Sequence, residues 1–338
     1  MNKLALAAVS LLLTLACQGA SSSQTASTAP EKISLRMGVG GQTQVMYLPL
    51  TLADQLGYFK AGGISVEIND LKGSPDALKA LIDGSVDMVT GPYEQTIRAQ
   101  TQGKFIKTVA TFDVSPGLVL MVAKQYQDKV KSIKDLVGHP VGIASPGSPG
   151  DEMVKYLLKK NNLAPDAVPV AAIGSGSTAI AAISSGQVWA GVIVDPAASE
   201  LEKSGSARPV YDTRTGAGTK DVFGGSWPAG GFYALTDFVK QNPRTVQAMV
   251  RAGVKTLKYM KSHSPDDIAG HLPSSFFANG DRAAFTATLK ANMGIFSDSG
   301  LMPADGPKDV FETLKAADPK TDWSTVDLKK TYDNTFAK

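Results

Sequence analysis

Residues 64–90 read ISVEINDLKGSPDALKALIDGSVDMVT, and residues 168–194 read VPVAAIGSGSTAIAAISSGQVWAGVIV. Each passes from a β-type run through a polar, glycine-bearing loop to a helical pattern, a glycine and a second β-type run. The first gives Ile64 to Asn69, a helix over Pro75 to Ile82, and Asp87 to Thr90. The second gives Val168 to Ile173, a helix over Thr178 to Ser184, and Gly191 to Val194. Units this compact predict parallel strands linked by right-handed helical crossovers. At an offset of about 102 to 104 residues, Ala77, Leu78, Ala80, Leu81, Gly84 and Val86 fall on Ala179, Ile180, Ala182, Ile183, Gly186 and Val188.

Moving outward, Ile33 to Val39 and a helix over Tyr47 to Leu56 precede the first unit. Val141 to Ala144 and a helix over Pro149 to Lys160 precede the second, with Gly38 falling on Gly142. The expected class is therefore α/β, in two similar lobes. Ser74-Pro75-Asp76 supplies a cap, an N1 proline and a first-turn carboxylate, and Ser148 and Asp151 stand at capping-box spacing around Pro149. From about Trp227 the helices lengthen, and Val246, Met249, Val250, Val254, Leu257 and Met260 form one apolar stripe that reads as core. An outward crossing is expected near Val122 to Lys124 and a return within the glycine-dense stretch Gly218 to Gly231. Lobe 1 is then 33–122 plus 225–338, and lobe 2 is 123–224.

The chain has 338 residues and a net charge of +3, with no long block of one sign, so nucleic-acid binding is disfavoured. Met1-Asn2-Lys3 followed by an apolar run from Leu4 to Ala16 reads as a signal peptide, 1–16, too short to span a bilayer. Cys17 is the single cysteine, which excludes an intramolecular disulfide. Residues 18–32, rich in Ser, Thr, Gln and Ala, read as a flexible tether completing segment 17–32. His139, His263 and His271 show no metal-ligand spacing, and no cofactor is expected.

Leu13-Thr14-Leu15-Ala16-Cys17 resembles the lipobox of bacterial lipoproteins. That resemblance implies cleavage before Cys17, a diacylglyceryl group on its thiol, and an exported chain held at the membrane by lipid alone. Further along, Gly-x-Gly-x-Gln near the start, LADQLGYFKAGGISVEI at 52–68, LKALIDGSVDMV at 78–89, VGIASPGSPGDEMVKYLLKKNNL at 141–163 and ISSGQVWAGVIVDP at 183–196 are similar to the nitrate/sulfonate/taurine group of periplasmic binding proteins. That group includes binders of thiamine-type pyrimidines. The resemblance implies a type II periplasmic-binding-protein fold, two α/β lobes joined by two crossing segments. It also implies a monomeric solute-binding component serving an ABC permease and its ATPase.

In open α/β sheets ligands lie beyond the carboxyl ends of the strands, where helix N-termini offer unpaired N–H groups to anions. Carried over by position, the ligand would meet Gln42, Gln44, Gly73, Ser74, Tyr93, Ser115, Pro116, Gly147 and Ser148, with Asp195-Pro196 matching a family Asp-Pro. Val194 replaces the aromatic that often precedes that pair. Tyr93 is the aromatic expected to stack on the ligand and Trp227 the second; Glu94 and Arg98, four apart, are expected to pair on a solvated face. A small oxyanion such as an alkyl sulfonate or taurine-like compound is the expected ligand. A heterocycle stacked on Tyr93 and bonded to Glu94 or Asp195 is the runner-up. A sensing lipoprotein would use the same clamp. A thiamine-pyrimidine synthase would want pyridoxal phosphate on a lysine and, in fungal members, clustered cysteines, which this chain lacks.

Overall fold

The computed structural model describes residues 29–277 and 280–338. The signal segment, Cys17 and most of the tether lie outside the described residues. In chain order the elements of the first lobe are β1 Ser34–Val39, α1 Leu48–Gln55, the single turn α2 Tyr58–Ala61, β2 Ser65–Asp70, α3 Ser74–Ile82, β3 Met88–Pro92, α4 Glu94–Thr101 and β4 Ile106–Thr111. The second lobe follows with β5 Val119–Ala123, β6 Val141–Ile143, α5 Pro149–Lys160, β7 Val170–Ala172, α6 Ser177–Ser184, β8 Ala190–Ile193, α7 Ala197–Lys203, β9 Ala207–Asp212 and α8 Gly216–Phe223. The chain then returns through β10 Gly230–Leu235, α9 Thr236–Gln241, α10 Pro243–Ser262, α11 Pro265–Gly270, α12 Arg282–Asn292 and α13 Gly306–Ala317.

The two sheets have one plan. The first runs β2-β1-β3-β10-β4 and the second β7-β6-β8-β5-β9. In each, three parallel strands are followed by an antiparallel strand that has just crossed from the other lobe, β10 or β5. Val119 to Ala123 is fully buried inside the second sheet, so the outward crossing is 112–118, earlier than Val122 to Lys124. An apolar strand reads alike in either lobe, and only its partners β8 and β9 assign it.

Helix ends explain the internal repeat. Gly84 and Gly186 stop α3 and α6 with φ of +74° and +75°, a left-handed turn that disfavours any Cβ. Core side chains fill both faces of each sheet: the adjacent and oppositely directed Met88 and Val89 are buried in β3, and Leu120 and Met121 in β5. The α10 stripe packs inward as expected except at Val254, which is only partly buried. The last tether residues are not free: Glu31 accepts hydrogen bonds from the N–H groups of Arg244 and Thr245, and the Lys32 amide donates to Thr245 Oγ1. The unpaired N–H groups at the start of α10 account for this docking.

Candidate functional site

A cavity of about 310 Å³ lies between the lobes at the carboxyl ends of β1, β2, β6, β7 and β8. Lobe 1 lines it with the Gly40-Gly41 turn, Gln44, Tyr47, Gly73 and Ser74. Lobe 2 contributes Ser145, Ser148, the loop 174–177, Asp195 and Pro196. Among the described residues five helices begin at its wall, α1 and α7 as well as α3, α5 and α6. The caps of α3, α5 and α6 are Gly73, Ser148 and Gly176, and none of these makes a side-chain capping bond. Their first N–H groups have no intrahelical acceptor, so the positive ends of three helix dipoles converge on one volume.

The hydroxyls sharpen this. Ser148 Oγ and Ser145 Oγ are buried with no hydrogen-bond partner among the described residues. Ser148 thus holds the cap position of α5 without the capping-box bonds its spacing to Asp151 suggested: Asp151 Oδ2 instead accepts from the Gly147 N–H at 2.8 Å and from Lys155 Nζ at 2.9 Å. Ser74 is likewise the first helical residue, with Oγ 3.3 Å from Tyr47 Oη. Buried hydroxyls left unmatched this way need a partner from outside.

The wall carboxylates are already committed. Asp70 Oδ1 accepts from the Gly41 N–H and Asp70 Oδ2 pairs with Lys72 Nζ at 2.9 Å. Burial pushes its carboxyl up, but these bonds outweigh it and hold it below the ordinary range. Asp195 Oδ1 accepts from the Ser199 N–H at 2.8 Å, while Oδ2 accepts from Asn292 Nδ2 of lobe 1 and faces Arg214. The Val45 N–H also donates to the Asp195 carbonyl across the cleft, at 3.1 Å. Lys72 is the one cationic side chain at the wall among the described residues.

Of the residues the sequence singled out, Gln44, Gly73, Ser74, Ser148 and Asp195 meet at the cavity; Gln42, Tyr93, Ser115, Gly147 and Trp227 are not in its wall. Gln42 Nε2 donates to Thr51 Oγ1 within its own lobe, and the Gly147 N–H is spent on Asp151. Tyr93 is buried and its hydroxyl lies 2.6 Å from Thr331 Oγ1, so its ring is packed under the C-terminal segment. Ser115 is buried in the outward crossing, and Trp227 is fully buried against Phe223, with ring centroids 5.1 Å apart. Tyr47, at the start of α1, is the aromatic that reaches the wall. A tyrosine ahead of Leu48-Pro49 at a helix start carried the same signal as Tyr93. Asn292 carried none, because only the fold brings it to Asp195.

Glu94 and Arg98 do not pair on a solvated face. Arg98 reaches across to Glu152 of α5 at 2.6 Å and to Asp318 at 3.5 Å. Glu94 is fully buried at the foot of β3, both oxygens without a partner among the described residues, and burial pushes its carboxyl up to about 8. Asp113, fully buried in the outward crossing, is raised well above its usual value by burial, with Glu94 adding to the rise. The three histidines serve as ring partners or surface residues: His139 stacks on Trp189 and His263 on Tyr259. No group of acidic, histidine or cysteine side chains suited to a metal occurs among the described residues.

The profile of the family described as NMT1/THI5 like matches residues 44–268. The chain belongs to that family. Its fold superposes with a TM-score of 0.87 on the structure of a Bordetella bronchiseptica RB50 protein, 36% identical, covering 91% of this chain and 96% of that one. The alkanesulfonate-binding protein SsuA from Xanthomonas axonopodis pv. citri, solved bound to MOPS, is 20% identical over 91% of this chain and all of its own, with a TM-score of 0.69. A Bacillus subtilis (strain 168) protein named as a binding protein, YtlA, is 26% identical over 244 residues, 69% of this chain and 68% of the relative. The fold of this NMT1/THI5-like protein is thus the periplasmic-binding-protein fold, with its cavity at the junction of the lobes.

Proposed function

We propose that this protein is the solute-binding component of an ABC importer and that it captures a small oxyanion, such as an alkyl sulfonate or a taurine-like compound, between its lobes. The observation that carries this reading is the meeting of three uncapped helix N-termini and two unpartnered serine hydroxyls in one cavity whose carboxylates are already bonded. An SO₃⁻-type group offers three acceptors to such donors, and a cavity of about 310 Å³ has room for a small organic anion. SsuA, of the same fold, is named for binding alkanesulfonates, which supports the class. The heterocycle reading loses Tyr93 as a stacking wall and finds the Asp195 carboxyl occupied.

Calorimetry of the purified protein against sulfonates, nitrate, carboxylates and pyrimidines tests the reading. Heat from a sulfonate is the expected result. Tight binding of a pyrimidine with no heat from any anion would overturn it. Replacing Ser148 by alanine is expected to weaken sulfonate binding by roughly ten- to a hundredfold, the worth of one hydrogen bond to a charged group, with the melting temperature nearly unchanged.

We further infer an exported, monomeric chain anchored through Cys17. Mass spectrometry of membrane-derived protein should show a chain beginning at Cys17 and carrying a diacylglyceryl group. An unmodified chain, or one cleaved elsewhere, would remove the anchor from this account.

A further inference from the structure

Helix α10 has a second face that the cleft does not use. Over Pro243–Ser262 it carries Arg244, Arg251, Lys255, Lys258 and Lys261 and no acidic residue. Its apolar side faces the core, and all five cations are exposed. Arg244 is drawn to Glu31 and Lys261 to Asp298. Arg251, Lys255 and Lys258, at helical spacing on one face, have no carboxylate partner among the described residues; Lys255 lies over the Tyr58 ring at 4.0 Å. Exposed Lys60 of α2 adds a further ammonium with no carboxylate partner among the described residues. Between α2 and α10 is a concavity of about 490 Å³ walled by Pro30, Tyr58, Gly62, Arg244, Arg251 and Lys255, none of which lines the cleft.

Pro30 places the entry of the N-terminal segment at this same face. We propose that the α2–α10 face is a docking surface for the anionic phospholipid surface to which Cys17 tethers lobe 1, an assignment whose orientation rests on the anchor reading above. Pro30 stands thirteen residues after Cys17, a span of at most roughly 45 Å, so the tether keeps this face within reach of the bilayer. Attraction between clustered Lys or Arg and anionic headgroups decays over a Debye length, about 8 to 10 Å, so it acts only when this face lies on the membrane. The residues of this face all belong to lobe 1 and the segment that leads into it.

Vesicle flotation of unlipidated residues 18–338 tests this without depending on the anchor. Vesicles of phosphatidylcholine alone are compared with vesicles carrying about 30% phosphatidylglycerol, at about 50 mM and about 500 mM salt. Binding only to the anionic vesicles, reversed by salt, is expected. The triple variant R251E/K255E/K258E should lower it by about tenfold or more, while K124E/K134E/K159E on lobe 2, equal in net charge, should change it less than about twofold. Melting temperatures confirm that both variants fold. Equal loss in the two triples, or no preference for anionic vesicles, would overturn the assignment. So would a patch variant that keeps vesicle binding but no longer stimulates the partner ATPase, which would assign the face to a protein. A failed flotation with the lipid mass at Cys17 present would leave the anchor standing.

Discussion

Glu94→Gln is expected to stabilise the protein strongly at pH 8 and hardly at all at pH 5. The folded-state pKa of about 8 lies above the ordinary 4.5, so between these values the folded chain keeps a proton that the unfolded chain releases. Stability associated with Glu94 is therefore fully present below about pH 4.5 and is lost as pH rises toward 8, at about 1.4 kcal/mol per unit within that window. Over the window this amounts to a few kcal/mol, and glutamine, which does not titrate, lacks that slope. The difference in melting temperature between variant and parent should grow steadily from pH 5 to pH 8, reaching several degrees. A difference independent of pH would show that Glu94 is ionised in the fold with a partner.

Gly40→Ala should abolish most ligand binding. A Cβ on Gly40 would meet the Ser74 amide nitrogen and stand 2.6 Å from both the Gly73 carbonyl carbon and Ser74 Cα, all backbone atoms. No rotamer change relieves that contact, so the β1 loop and the start of α3 must part. Overpacking of this kind costs about 1 to 3 kcal/mol of stability. Because the displaced N–H groups belong to the proposed cradle, affinity for a sulfonate should fall by at least about tenfold. Gly216→Ala is the comparison: a Cβ there meets nothing at the start of α8, and both melting temperature and affinity should stay within error of the parent. Retained affinity in Gly40→Ala would separate the β1 loop from the ligand.

The lobes were legible because period-2 and period-3.6 patterns, Ser-Pro helix starts and left-handed glycines are local signals: residues 64–90 and 168–194 both carry the strand, the helix and the terminating glycine, and Ser74-Pro75 and Ser148-Pro149 mark one helix start in each lobe. The outward crossing was not, since Val119 to Ala123 is as apolar as a strand of either sheet, and its assignment depends on pairing with Ala190–Ile193 and Ala207–Asp212. At the cavity, glycine and serine loops announced themselves through the strand-to-helix turn. The choice between Tyr47 and Tyr93 did not, because Tyr93 is closed off by Thr331, a residue more than two hundred positions away. The pairing of Arg98 with Glu152 rather than Glu94 has the same origin: helical spacing places two charges side by side, but the approach of α5 decides which partner is desolvated with the arginine.

The crossing strands also set an order of assembly. Every strand of the second sheet lies within Val119 to Asp212, so that lobe can close its hydrogen-bond ladder as soon as one continuous segment is available. The first sheet has a vacancy between β3 and β4 that only Gly230–Leu235 fills, and those residues follow the whole of lobe 2 in the chain. A ribosome or a secretion channel delivering this polypeptide from its amino end therefore releases the whole second sheet while α5 still lacks its packing partner α13 and lobe 1 exposes two unpaired strand edges, and it is that interval in which a chaperone has something to hold.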